Sequence, residues 1–211
     1  MSTEKILPST IKDEQGNRRC YWCGNDDLYI RYHNQEWGNP VADDQRLFEK
    51  ICLEGFQAGL SWITILRKRE AFREAFCDFD FHQVAKFTSA KVDRLVKNAQ
   101  IIRHRGKIQS TVNNAQRAIE TLDSHGSLAA FIWSFEPRKS PTLRSRKQVP
   151  ATTQESSDMS KALKKNGWTF VGPTTCYAMM QSIGMVNDHI QTCHRWTKVK
   201  QLRKNFKRPQ S

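Results

Sequence analysis

Two cysteines near one end of the chain, Cys20 and Cys23, are followed by a histidine, His33, ten residues after the second. Near the other end stands His189-x3-Cys193, with His194 beside it. Thiolate and imidazole are soft-to-borderline ligands, and two of each make a tetrahedral set that suits zinc. Four protein ligands leave no open position for water. Such an ion is structural rather than catalytic, and it staples the first and last thirds of the chain together. Spacing alone leaves Cys20 and Cys23 as alternatives, with His194 competing at the other end. A zinc deaminase is excluded, because that chemistry needs His-x-Glu and Pro-Cys-x-x-Cys. Here Glu36 lies three residues after His33, and Cys20 follows Arg19.

A second chemistry sits in the stretch LEGFQAGLSW, residues 53–62. Glu54 lies between Leu53 and Phe56, and a carboxylate there is costly to bury unless it meets donors or a cation. The plain alternative is a helix-end glutamate in water. Gly55 and Gly59 bracket the following turn and suggest a tight backbone against something. Trp22, Tyr29, Tyr32 and Trp37 come just upstream. Such a density of rings reads first as core. Beside a carboxylate it is also what a flat cationic ring would require.

The elements that must position these groups read as helices. From Pro40 to Pro137 no proline intervenes, and apolar residues recur at helical spacing. Asp43 or Asp44 caps a helix burying Leu47, Phe48, Ile51 and Cys52. Further helices start near Ser61, span Phe81 to Phe87 and Lys91 to Val96, and carry Ile108, Val112, Ala115 and Ile119. The stretch 137–158, with three prolines and five basic residues from Arg138 to Lys147, reads as a long exposed loop. Helical patterning returns over Ser160 to Lys165 and Thr174 to Ile183. Residues 1–18 read as a flexible arm. Residues 195–211, with seven basic side chains and no acid, read as a frayed basic tail with non-specific phosphate affinity. The fold class is all-α, in one domain.

Composition narrows the partners. The 211 residues carry 34 Lys plus Arg against 21 Asp plus Glu, a net charge of +13. A pI of about 9.7 points to a polyanion, most simply nucleic acid. The longest apolar run, Leu128 to Trp133, is six residues, against the ~18 a membrane span needs. Charges at Glu4, Lys5, Lys12, Asp13 and Glu14 argue against a secretion signal, so a reducing, cytoplasmic setting is expected. Cys52, Cys77 and Cys176 then read as core.

Five blocks, LYIRYHNQEWG (28–38), ICLEGFQAGLSWITIL (51–66), IIRHRGKIQ (101–109), SKALKKNGWTFVGPTTCY (160–177) and GMVNDH (184–189), closely resemble bacterial 3-methyladenine DNA glycosylase I. The resemblance runs over roughly residues 19–194. It implies a helix-hairpin-helix glycosylase fold, with a structural zinc site joining the N- and C-terminal segments. Its zinc motif falls on Cys20, His33, His189 and Cys193, leaving Cys23 and His194 as bystanders. Its base pocket falls on Trp22, Tyr32, Glu54 and Trp62, with Trp37 close by. Its hairpin falls within 98–112, where Arg103, Arg105, Gly106 and Lys107 would meet the DNA backbone. Only Gly106 remains of the superfamily's usual Leu-Pro-Gly-Val-Gly. Gln57, Gly59 and Leu60 resemble the probe that enters the duplex where a base leaves.

The implied reaction is hydrolysis of the N-glycosidic bond of N3-alkylated purines, chiefly 3-methyladenine, in double-stranded DNA, by a monomer. Glu54 is the expected catalytic residue, and free 3-methyladenine the product. N3 alkylation makes the base cationic, so it departs neutral and strong acid catalysis is not required. The catalytic aspartate that other superfamily members place after the hairpin is not found; Asp123 lacks a supporting motif. No lysine stands out as a Schiff-base nucleophile, so the enzyme is expected to be monofunctional. The rivals are a zinc-stapled damage-binding module without catalysis, and a glycosylase for a neutral base. The latter would need an acid or nucleophile that the sequence does not offer.

Overall fold

In a computed structural model, residues 8–210 are described. The chain is mostly helical. Among the described residues eleven α-helices follow one short hairpin: α1 (Asp27–Gln35), α2 (Asp44–Gln57), α3 (Trp62–Arg67), α4 (Arg69–Ala75), α5 (Phe81–Val84), α6 (Ser89–Lys97), α7 (Arg105–His125), α8 (Leu128–Trp133), α9 (Gln154–Lys165), α10 (Pro173–Ser182) and α11 (Arg195–Asn205). None of them is long and apolar enough to cross a membrane.

Helix α2 is the axis of the molecule. The Asp43 carboxylate accepts from the Arg46 N–H and starts it. Its ten residues from Leu47 to Phe56 are all buried, so it packs on every side, against α3, α7, α8 and α10. Around it Phe48, Phe56, Phe72, Phe76 and Phe79 form a ring cluster with centroids 4.5–6.3 Å apart. Each such burial stabilises by roughly 1.5–3 kcal/mol. A helix hydrophobic on most faces is what a central element requires. The three charged residues it still buries, Glu49, Lys50 and Glu54, therefore need explanation.

Helices α6 and α7 are joined by residues 98–104 and pack on one another. His104 caps α7 through its ring, and Gly126, at φ 75°, ends it. Helix α10 begins with Pro173 in its first turn. At its far end Gly184 runs so close to Gly38, Asn39 and Pro40 that a Cβ there would collide with their backbone. That approach lets Gly38 and Val41 donate to the carbonyls of Ser182 and Ile183 (3.4 and 3.2 Å). It fixes the Trp37 segment against α10.

Four readings of the sequence change. Part of the expected arm is a hairpin, β1 (Thr10–Lys12) paired antiparallel with β2 (Arg18–Cys20). The Asp13 carboxylate turns it by accepting from the Gln15 and Asn17 N–H groups (3.1 and 2.8 Å). Strands of three residues carry no alternation to read. Residues 1–7 of that arm lie outside the described residues. The expected frayed tail contains α11: Val199 is buried, Arg203 donates to the Gly184 carbonyl (2.7 Å), and Phe206 stacks on Trp133 at 4.5 Å. Only two of its residues are buried, so its amphipathic signal is faint. The expected exposed loop tucks Leu143 inside, and α9 starts at Gln154 rather than Ser160, behind a capping box on Thr153 and Ser156. The second expected helix is interrupted at Lys68, between α3 and α4.

Candidate active site

Two walls of one cavity hold the groups picked out by the sequence. The cavity, of about 230 Å³, opens between the hairpin end, α1, α2 and α10. Trp22, Tyr32, Trp37 and Trp62 line it, with Glu54 and Gln57. Trp22 meets Trp37 and Tyr32 edge to face, at 4.9 and 6.4 Å, and Tyr32 lies tilted 5.5 Å from Trp62. So the aromatic density is partly core and partly cavity lining. Tyr29, noted in the aromatic group, lines it too, and the sequence reading missed Ala178, Gln181 and Asp188 among others. Asp188 accepts from the Tyr177 hydroxyl (2.6 Å) and the Gln181 amide (2.7 Å). It was visible in the GMVNDH block, but nothing local there marks a cavity more than a hundred residues from Glu54.

Glu54 is 5 % exposed and faces this cavity. Its neighbours on the same side of the fold have found partners. Glu36 holds Arg69 through both oxygens (2.6 and 3.0 Å), and Glu49 holds Arg73 (2.7 Å) and Arg46 (2.8 Å). No salt bridge reaches Glu54 among the described residues. Burial pushes its carboxyl up, to about 8, against the pull of the Lys50 ammonium one turn earlier and of the Ser182 hydroxyl. Burial pushes Lys50 down in turn, against Glu36 and Glu54. The Lys50 ammonium sits 5.2 Å from the Tyr32 ring centre. Lys50 is not among the residues that line the cavity. Trp62 presents an indole N–H without any partner, although the residue is 8 % exposed. A buried acid without a salt bridge, at a small aromatic cavity, can grip a flat polar ring from its edge.

The second wall is sealed, and of its Cys/His cluster only Cys20 reaches the cavity itself. Cys20, His33, His189 and Cys193 are all buried, and their ligating atoms lie within 4.8 Å of one another. Cys193 Sγ is 3.4 Å from His33 Nε2 and 3.6 Å from His189 Nδ1, and Cys20 Sγ is 3.6 Å from the same Nδ1. The remaining ring nitrogens are held from outside, His33 Nδ1 by the Asn34 side chain (2.7 Å) and His189 Nε2 by the Trp37 carbonyl (3.2 Å). These outer bonds fix which nitrogen points inward. Two thiols and two imidazoles converging this way could hold a metal ion. The geometry also separates the alternatives. Cys23 turns its thiol to the Cys20 carbonyl (3.1 Å), and His194 is exposed against the Arg18 carbonyl (2.9 Å).

Beyond Glu54, α2 ends in a turn whose tip is exposed. Gly59 takes φ 81°, where a side chain would be strained, and Leu60 is 41 % exposed. Arg103 and Arg105 are exposed before and at the start of α7, with Arg105 tied to Asp93 (2.6 Å). Gly106 packs beneath the His104 ring. Lys107 does not face outward with them. It is buried, and its ammonium donates to the carbonyls of Phe56 (2.9 Å) and Ala58 (2.6 Å), bracing the turn from behind.

Comparison with known proteins bears on this geometry. A family profile described as methyladenine glycosylase matches residues 22–196. The chain is 50 % identical over 180 residues to a Haemophilus influenzae protein named DNA-3-methyladenine glycosylase, covering 83 % of this chain and 96 % of that one. It is 48 % identical over 177 residues to DNA-3-methyladenine glycosylase 1 of Escherichia coli, covering 83 % and 95 %. A crystal structure of a 3-methyladenine DNA glycosylase I superposes with a TM-score of 0.80 at 47 % identity, over 83 % of this chain and 98 % of that one. A Tyr-to-Phe variant of such an enzyme, solved in complex with 3-methyladenine, superposes at 0.81 and 33 % identity, over 84 % and 97 %.

Proposed function

Because the chain belongs to the methyladenine glycosylase family, we propose a reading in which each wall of the cavity has its own task. The protein is a DNA glycosylase that excises 3-methyladenine, a hydrolase of N-glycosyl bonds. The observation that carries the residue-level reading is Glu54, a buried carboxylate without a salt-bridge partner in an aromatic cavity.

The everted base enters between Trp22, Tyr32 and Trp62, with Trp37 closing the inner side. Its positive charge is met by ring faces, worth ~1–2 kcal/mol each when desolvated, and by Glu54. Glu54 is protonated in the empty cavity near neutrality, so the arriving cation displaces a proton from it. A neutral base brings no such charge and leaves a buried carboxylate either uncompensated or neutral. This is the source of selectivity for the alkylated purine. When the N-glycosyl bond breaks, its electron pair passes into the ring and cancels the formal charge. A water oxygen bonds to the sugar carbon, and its proton goes to solvent. The base leaves neutral without an acid to protonate it. Lys50 stays behind Tyr32 and forms no imine, so the strand is not cut.

Duplex DNA is held by the helix-hairpin-helix of α6, residues 98–104 and the start of α7, through Arg103, Arg105 and the backbone at Gly106. Gln57, Gly59 and Leu60 form the probe, and Leu60 fills the gap left in the stack. Lys107 braces that probe rather than meeting a phosphate. Cys20, His33, His189 and Cys193 fit zinc by donor type and closeness. When bound, the ion supplies a structural link between the β2 end and the 189–193 turn and takes no part in the reaction. The glycosylase domain is residues 19–194 with α11 packed against it, working as a monomer in the cytoplasm.

The test is release of free base from methylated duplex DNA, separated by chromatography. Wild type yields 3-methyladenine well above spontaneous loss, and Glu54→Ala yields far less. Undiminished release by the variant, with its fold intact, overturns the role of Glu54.

A further inference from the structure

Phe170 is an oddity of the fold. It takes φ 55°, in the left-handed region that bulky side chains avoid, and it is 41 % exposed. Three other non-glycine residues have positive φ among the described residues: Cys77, Asp78 and Phe79. They form one turn, and that turn buries Phe79 completely against Phe76 at 5.6 Å. Burial compensates the strain there. At Phe170 a large part of the ring remains in water, so burial does not.

The strain is nevertheless firmly imposed. Thr169, the residue before, is clamped to α7 from both sides. Its N–H donates to the Asn114 side chain (2.9 Å), and its carbonyl accepts from Asn114 (2.9 Å) and Ser110 (3.2 Å). Its hydroxyl donates to Ser110 (2.8 Å). Strained conformations persist where the surroundings over-determine them, and they gather at working sites. Phe170 also stands in a telling place. A Cβ on Gly55 would meet the Phe170 Cβ and carbonyl at 3.4 Å, and one on Gly106 would lie 3.9 Å from the ring tip. Gly55 precedes the Leu60 turn, and Gly106 opens α7. Phe170 therefore sits between the end of α2, just before the turn assigned as the probe, and the start of α7, with its ring toward Gly106.

We propose that Phe170 is a second apolar contact with duplex DNA, its ring resting on a base or deoxyribose beside the nucleotide that Leu60 displaces. This rests on the reading of Gln57, Gly59 and Leu60 as the probe. Leu60 and Phe170 are the two large apolar side chains left most exposed among the described residues, both at 41 %. An aromatic face contributes sequence-independent stacking affinity, which suits an enzyme that must search any sequence. The exposed Arg103 and Arg105 supply phosphate attraction nearby.

The test separates this role from a structural one. Phe170→Gly removes the ring and relieves the backbone, so its melting temperature should match or exceed wild type. Binding of free 3-methyladenine, read by tryptophan fluorescence, should not change. Affinity for a duplex carrying an abasic-site analogue, read by anisotropy, should fall about five- to hundredfold. Excision from methylated duplex should weaken through KM, and excision from a methylated single strand much less. Phe170→Ala, which keeps the strain, should lose the same DNA affinity, and Phe170→Trp should keep most of it. Wild-type duplex affinity in both the Gly and Ala variants overturns the proposal, as does loss of free-base binding together with duplex binding. A parallel Leu60→Ala variant apportions such a failure. If Leu60→Ala weakens duplex excision and Phe170→Gly does not, Phe170 alone is misassigned. If neither variant matters, the probe reading falls with it.

Discussion

The two walls of the cavity bury polar groups in opposite ways. At the Cys/His wall every ligating side chain has company: four ligating atoms face each other, and the outer nitrogens of His33 and His189 are hydrogen-bonded to Asn34 and Trp37. At the Glu54 wall the carboxylate has no salt bridge, the Trp62 N–H has no acceptor, and Lys50 reaches only a ring face. Buried polar groups that are satisfied stabilise a fold, and those left unsatisfied cost free energy. The first wall is built for the folded state. The second is complete only when something else is present. Trp37 joins them, lending its carbonyl to His189 and its ring to the cavity.

The largest effect is expected at the satisfied wall. Cys193→Ser or His189→Ala should abolish binding of one zinc per chain and lower the melting temperature steeply, since structural zinc contributes on the order of 10 kcal/mol in small domains. Metal analysis and a thermal melt with and without chelator check this. Activity should fail only as the fold fails. A chelator-treated protein with unchanged melting and a working cavity would break the contrast between the walls.

Next in size is Glu54→Gln, which should split stability from activity. Base release should drop about a hundredfold, the scale of removing one partner from a buried charge contact. Stability should move the other way, in a pH window set by the raised carboxyl. The unfolded chain gives up this proton near the ordinary carboxylate value, and the folded protein holds it until about 8. Between those values the folded state binds the extra proton, so wild-type stability falls as pH rises. The Gln variant lacks that slope. The two proteins should melt alike below pH 4 or so, and the variant should be more stable at pH 8 by roughly a few kcal/mol. Parallel melts across pH decide it, and a less stable variant at pH 8 would place Glu54 with the satisfied groups.

The asymmetry also explains what the sequence made legible. Cysteine and histidine are rare and have few uses, so two pairs at the chain ends pointed to a cluster that could hold a metal, and the resemblance chose Cys20 over Cys23. The fold then gave the reason, a Cys23 thiol turned to a carbonyl. The long helices were legible because α2 and α7 carry many buried residues in period. The β1–β2 hairpin and α11 were not, because three-residue strands and a helix with two buried residues leave too little pattern. At the Glu54 wall the residue was visible, but its isolation was not. Nothing in the sequence says that Glu49 and Glu36 find arginines and Glu54 does not. Lys107 illustrates the same limit: a basic residue in a basic motif reads as a phosphate contact until its ammonium is seen between two carbonyls.

Lys50→Met tests how the Glu54 wall is tuned. The ammonium opposes the upward push of burial on Glu54, so its removal should raise that carboxyl further. Glu36 and Glu49 keep their arginines, and Tyr29 and Tyr32 stay neutral, both pushed up by burial. The acid limb of the pH–rate profile for base release should move to higher pH by roughly one unit. A loss of rate equal at every pH would mean that Lys50 acts on packing alone.

The smallest effect should come from Trp62→Phe, and it discriminates best between the walls. The change keeps an aromatic face and removes an N–H that no protein group accepts. If that donor were merely a flaw of the core, deleting it would raise stability by a few tenths to about 1 kcal/mol and leave binding alone. If the cavity is completed by a ring nitrogen or exocyclic acceptor, the same deletion should weaken free 3-methyladenine about three- to tenfold, because one hydrogen bond in a desolvated site is lost. Stability and affinity must then change in opposite directions, as for Glu54→Gln but on a smaller scale. Titration calorimetry and a melt on one preparation read both. Opposed signs at Glu54 and Trp62, beside coupled losses at Cys193 and His189, would separate groups kept for a ligand from groups kept for the fold.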